Sequence, residues 1–172
     1  ASDVYKRQIQ MRRIKRISAW ILTLAILLTL TVPALAASSV QNEVQGSAAY
    51  MVSTVKAPEV GSIGGEWAII GLARSGYTVP TNYYEDYYAR VEKYVKDCAG
   101  VLHERKYTEY SRVVLALTAI GRDPANVAGY NLLTPLGDFE KTIWQGLNGP
   151  IWALIALDSG SYGLSLIHIS EP

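Results

Sequence analysis

Ala68-Ile69-Ile70-Gly71-Leu72, Val113-Val114-Leu115-Ala116-Leu117 and Ala153-Leu154-Ile155-Ala156-Leu157 are three versions of one apolar phrase. Each has a small residue before its last Leu, and Gly76, Gly121 or Gly160 follows within four positions. Leu72 to Leu117 is a step of 45 residues and Leu117 to Leu157 a step of 40. A period of that size, with one helix per copy and another between copies, predicts a stack of helical hairpins. The phrases are apolar nearly all round, which predicts helices buried on several sides.

The intervening sequence has a different texture. Tyr84, Tyr87, Tyr88, Val91, Val95 and Cys98 follow helical spacing, while Glu85, Asp86, Glu92, Lys93 and Lys96 face away. Pro80 and Asn82 open this helix, with Asn82 and Glu85 at capping-box spacing, and Gly100 ends it. Helices are also expected at 47–56, 66–75, 108–120, 137–145 and 150–157, the last two joined by the tight turn Gly146-Leu147-Asn148-Gly149. Strand signals are nearly absent. The expected fold is all-α: buried inner helices alternate with one-sided outer ones, in about three hairpins.

The two ends read differently. Asp3-Val4-Tyr5-Lys6-Arg7-Gln8 and Leu164-Ser165-Leu166-Ile167-His168-Ile169 are related through the genetic code: one codon reading of the first has a reverse complement that translates as the second. They resemble a transposase adaptor of sequencing libraries, so residues 1–10 and 164–172 are set aside from fold reasoning and the natural sequence is expected to continue past Gly163. From Met11, the order is a basic Met-Arg-Arg-Ile-Lys-Arg, an apolar run over 20–32 and Pro33-Ala34-Leu35-Ala36. That is signal-peptide order over 11–36, with cleavage after Ala36, so membrane contact is expected only during export. Residues 37–46 are polar and expected as a weakly structured leader before a repeat domain at 47–163.

The whole chain carries a formal net charge of +1. Residues 37–163 hold ten Lys/Arg and thirteen Asp/Glu, a net of −3, which offers no footprint for nucleic acid. Cys98 is the only cysteine, so an exported domain must be held by packing rather than by an internal disulfide.

Gly64-Gly65-Glu66-Trp67-Ala68-Ile69-Ile70-Gly71-Leu72 and Gln145-Gly146-Leu147-Asn148-Gly149-Pro150-Ile151-Trp152-Ala153-Leu154 resemble the prenyltransferase and squalene-cyclase-like repeat, in its exported Gram-positive form. The resemblance covers about 45–163 and implies an α/α toroid, here a partial, incomplete ring. Cyclases carry a Gln-x-x-x-Gly-x-Trp signature; Gln145, Gly149 and Trp152 match it with one extra residue before the Trp. Such a Gln is expected to satisfy free backbone groups of the next hairpin, with the Trp packing across the turn.

The chemistry of such enzymes is not found. There is no Asp-x-Asp-Asp acid cluster, and Glu85, Asp86, Asp138 and Glu140 fall where helix surfaces or first turns place them. Asp97, Cys98 and His103 make a poor zinc set, because neighbours on a helix point roughly 100° apart. Gly61-x-x-Gly64-Gly65 lacks the Lys-Ser/Thr of a phosphate cradle, and Glu66 opposes an anion. No catalytic residue, metal or cofactor is therefore expected. Eight tyrosines lie between Tyr77 and Tyr110, and their main role is packing. Trp67, Tyr84, Tyr110, Trp144 and Trp152 are the candidates for an aromatic cavity that takes an apolar or flat small molecule, or a surface partner. The expected function is an exported, non-catalytic binding or cell-surface module. The alternative is the N-terminal part of a cyclase-like or prenyltransferase-like enzyme with its catalytic residues farther on.

Overall fold

The computed structural model describes residues 18–26, 40–62, 64–160 and 162. The chain divides into two units, Ala1–Gly46 and Ser47–Pro172. In the first, residues 18–26 are helical, with Trp20, Ile21, Leu22 and Leu24 all exposed. The adaptor-like ends, most of the signal-like segment and the expected cleavage site lie outside the described residues. No helix among the described residues is long and apolar enough to cross a membrane.

The second unit begins inside a helical run at 40–54, here α1. The expected weakly structured leader is thus helical from residue 40. Gln41, Glu43 and Gln45 are good helix formers and no proline interrupts them, so local propensity suffices. Then follow α2 (Glu66–Ser75), α3 (Tyr83–Asp97), α4 (Thr108–Ala119), a 3-10 turn (Thr134–Gly137), α5 (Phe139–Thr142), a second 3-10 turn (Ile143–Gln145) and α6 (Asn148–Asp158). Among the described residues the only β feature is an isolated bridge between Val127 and Tyr130. The protein is all-α.

The three apolar phrases lie on α2, α4 and α6, and α4 packs against both of the others. Gly71, Ala116 and Ala156 occupy the same place before the last Leu; Ala116 and Ala156 are fully buried there, whereas Gly71 is exposed. α3 contributes its one apolar face: Tyr83, Tyr87, Val91 and Val95 are buried in the same core as Ile69, Leu72, Val114, Leu117 and Ala156.

Four details differ from expectation. Asn82 sits in the left-handed region (φ 65°) and its side chain caps nothing, so the capping box does not form. The expected helix at 137–145 is a 3-10 turn, one α-turn and another 3-10 turn; Pro135 and Gly137 break its start. α6 begins at Asn148, because the redirection is made at Gly146 alone (φ 64°) and the rest of the expected turn is already helical. Of the three phrases only α4 is buried on most sides; Ile151 and Ile155 leave α6 bare along one flank.

Candidate functional site

α3 ends in a reversal built on Ala99 (φ 51°) and Gly100 (φ 79°), which returns the chain towards α4. The Tyr130 ring lies directly on Gly100: a methyl group there would meet its Cδ1 at 2.4 Å, so the absent side chain makes room for the ring. Tyr110 locks the reversal from α4. Its buried hydroxyl accepts from Leu102 N–H (3.1 Å) and donates to Gly100 O (3.3 Å), and burial raises its pKa. Gly100, Tyr107, Tyr110, Tyr130, Glu104, Asp138 and Lys141 line an open groove of about 910 Å³. Asp138 caps α5 by accepting from Lys141 N–H (3.1 Å), and it also pairs with the Lys141 ammonium, whose pKa it raises.

The five expected aromatic residues do not converge. Tyr110 lines the groove; Trp144 stands beside it, exposed, with its ring edge-on to Tyr107 at 6.4 Å. Tyr107 and Tyr110 are themselves 5.4 Å apart, so the aromatic wall continues from the groove to the rim. Trp67 and Trp152 pair edge-on at 5.3 Å away from the groove lining. Tyr84 packs edge-on against Tyr83, whose hydroxyl donates to Val55 O. Nothing in the spacing of Tyr107 and Tyr130 along the sequence marks a concave surface.

Gln145 Oε1 accepts from Thr108 N–H (3.0 Å), the first residue of α4, so it serves the preceding repeat rather than the following one. Thr108 N–H is among the free donors of a helix start. Gln145→Ala is expected to cost about 0.5–1.5 kcal/mol in urea-unfolding free energy, the usual net value of one such bond.

A polar cluster lies inside the core at the start of α2. Glu66 is fully buried, and one of its carboxylate oxygens accepts from Gly61 N–H (2.7 Å) while Oε2 has no partner. Loss of hydration raises its pKa, partly offset by the Gly61 bond and the Arg112 charge. Tyr87 on α3 is also fully buried, its hydroxyl without a partner, and burial beside Glu66 drives its pKa far up. Arg112 on α4 pairs with Glu109 but leaves Nε buried and unpaired. Before α2, the Gly61 amide donates to Glu66, the Ser62 amide to Glu59 O and the Gly65 amide to Ser62 O, so these three donors are already engaged.

Cys98 is half-buried, its thiol bonds Val95 O and burial raises its pKa, the opposite of an activated thiolate. His103 Nδ1 accepts from Arg105 and Lys106 N–H, and Asp97 pairs with Lys93. Among the described residues no three His, Cys, Asp or Glu gather as a metal site. No family model, curated protein or solved structure matches the chain.

Proposed function

We propose that this chain is an exported, non-catalytic binding module: a partial α/α toroid of the prenyltransferase and squalene-cyclase-like kind, whose groove takes an apolar or flat small molecule. The observation that carries the reading is the groove itself, in which the exposed Tyr130 ring, backed by the largely buried Tyr107 and Tyr110, meets a polar edge of Glu104, Asp138 and Lys141. Aromatic walls with a few fixed polar groups are the usual makeup of small-molecule sites. The Trp67–Trp152 contact supports the curved arrangement: helices on either side of α4 meet each other, as they do when a row of rods bends. The basic, apolar and small-x-small order over 11–36 supports export.

A panel of planar aromatic and long-chain isoprenoid compounds, followed by Trp fluorescence and thermal shift, tests the reading. A true ligand at about 100 times its Kd should add roughly 2.7 kcal/mol of stability. Tyr130→Ala and the rim variant Glu104→Ala should each weaken binding at least about tenfold, some 1.4 kcal/mol. Absence of saturable binding across the panel, or binding indifferent to both variants, overturns the proposal. N-terminal sequencing of protein from an exporting Gram-positive host should start at Ala37.

A further inference from the structure

Three charged side chains line the groove, Glu104, Asp138 and Lys141, and they are not equivalent. Asp138 and Lys141 are engaged with each other. One carboxylate oxygen meets the ammonium at 3.1 Å, and the other accepts from Lys141 N–H, also at 3.1 Å. Together they bring no net charge. Glu104 is exposed and takes part in no ion pair among the described residues. Arg105 and Lys106 follow it in the chain, but neither belongs to the lining; their amides bond His103 Nδ1 and tie the turn that carries Glu104. The lining therefore holds one uncompensated negative charge.

The same groove offers one accessible ring. Val127 and Tyr130 exchange both backbone hydrogen bonds, at 2.9 Å, around the left-handed pair Ala128 (φ 51°) and Gly129 (φ 88°). Val127 is fully buried, which anchors the turn. The Tyr130 ring rests on Gly100 and stays 36% exposed, so its position is set before a ligand arrives. The face of a phenol ring carries negative potential and attracts a cation. Two further side-chain oxygens of the lining are taken: Asn131 Oδ1 accepts from Leu133 and Thr134 N–H, and the Tyr110 hydroxyl accepts from Leu102 N–H. A neutral flat ligand would strip water from Glu104 without replacing it, and an anion would meet repulsion there.

We infer that the groove selects, among flat molecules, those carrying a positive charge on or beside the ring system. The Tyr130 face lies against the cation, and the Glu104 carboxylate is its counter-ion. The net charge of −3 over residues 37–163 acts in the same direction at longer range. The inference rests on the reading of the groove as a small-molecule site and narrows the ligand to one charge class.

Titration calorimetry of the full chain with N-methylquinolinium, methylnaphthalene and naphthoate presents one two-ring shape in three charge states. The cation should bind at least about tenfold tighter than the neutral compound, some 1.4 kcal/mol, and the anion weakest. Glu104→Gln should abolish that preference, while Glu59→Gln, which removes an exposed carboxylate outside the lining, should keep it. Tyr130→Leu retains an apolar contact without the ring potential and should reduce the preference as well. Raising salt from roughly 0.01 to 1 M shortens the screening length from about 30 to 3 Å and should weaken the cation alone. Equal affinities, a preferred anion, or a cation preference that survives Glu104→Gln would each overturn the inference while the groove reading stands. So would saturable binding of an isoprenoid without binding of the planar cation. Absence of saturable binding by any of these compounds overturns the groove reading and this inference together.

Discussion

Gly149→Ala is expected to dismantle the last hairpin. A Cβ at Gly149 would lie 1.8 Å from Thr142 O and 2.8 Å from Thr142 C, both backbone atoms. Thr142 is buried, and its own N–H is tied to Asp138 O at 3.0 Å, so it cannot yield without opening α5. Overpacking of a core usually costs 1–3 kcal/mol, and a clash with fixed backbone belongs at or above the top, about 3 kcal/mol. For a chain of this size that is a melting-point drop of roughly 6–12 °C. Gly137→Ala is the matched control: it meets nothing within 4 Å and should leave the melting point nearly unchanged. If the two variants melted alike, the close crossing of α5 over the first turn of α6 would be wrong. The result would also explain why a glycine stands at this place in the Gln145, Gly149 and Trp152 set: the crossing has no room for a side chain.

The second large effect is expected at Glu66 and has a sign set by pH. Its folded pKa lies above its ordinary value because burial strips water from the carboxylate; the Gly61 amide and Arg112 only partly compensate. The folded state thus holds the proton more tightly than the unfolded one. The stability this confers is complete below the ordinary carboxyl pKa and is lost as pH rises through the raised folded value. Thermal unfolding between pH 4 and 8 should show the melting point falling with rising pH across that window, after the global trend measured in Glu66→Gln is subtracted. Gln keeps an acceptor for Gly61 N–H without the buried charge, so at pH 7 this variant should be more stable than the parent. Glu66→Ala removes the acceptor as well and should lose about 1–3 kcal/mol through the stranded Gly61 amide. A Gln variant with the parent's pH slope would show that Glu66 is not the group responsible.

Much of the helical framework was legible in the chain because it rests on local signals. Gly76, in the left-handed region at φ 68°, stops α2 where the sequence placed the stop, and Tyr87, Val91 and Val95 of the expected apolar face are buried on α3, with Tyr83 completing it while the expected Tyr84, Tyr88 and Cys98 are only half-buried. The segment 134–158 was less legible. There a proline, several glycines and tertiary crossing decide between α and 3-10 turns, and each alternative has similar local cost. The polar cluster was not legible at all. An acid in the first turn of a helix is ordinarily solvated, so nothing at Glu66 announces burial; Arg112, whose charge acts on it, stands where the other two copies carry Trp67 and Trp152. That exchange of Arg for Trp at one register of the repeat was the available signal, and it becomes informative only once α2, α3 and α4 are known to meet there. The groove likewise needed the fold, because Tyr107 and Tyr110 at the start of α4 meet Tyr130 only once the connection after α4 returns and lays the Tyr130 ring on Gly100.

The Trp67–Trp152 contact has a bearing on how the molecule comes apart. In a strictly linear solenoid each unit feels only its immediate neighbours, and the termini fray independently. Here the first and third units touch through a pair of indoles, so loosening either terminus removes support from the other. Melting should therefore proceed in one step across all three units, with the indole emission changing at the same temperature as the helix signal.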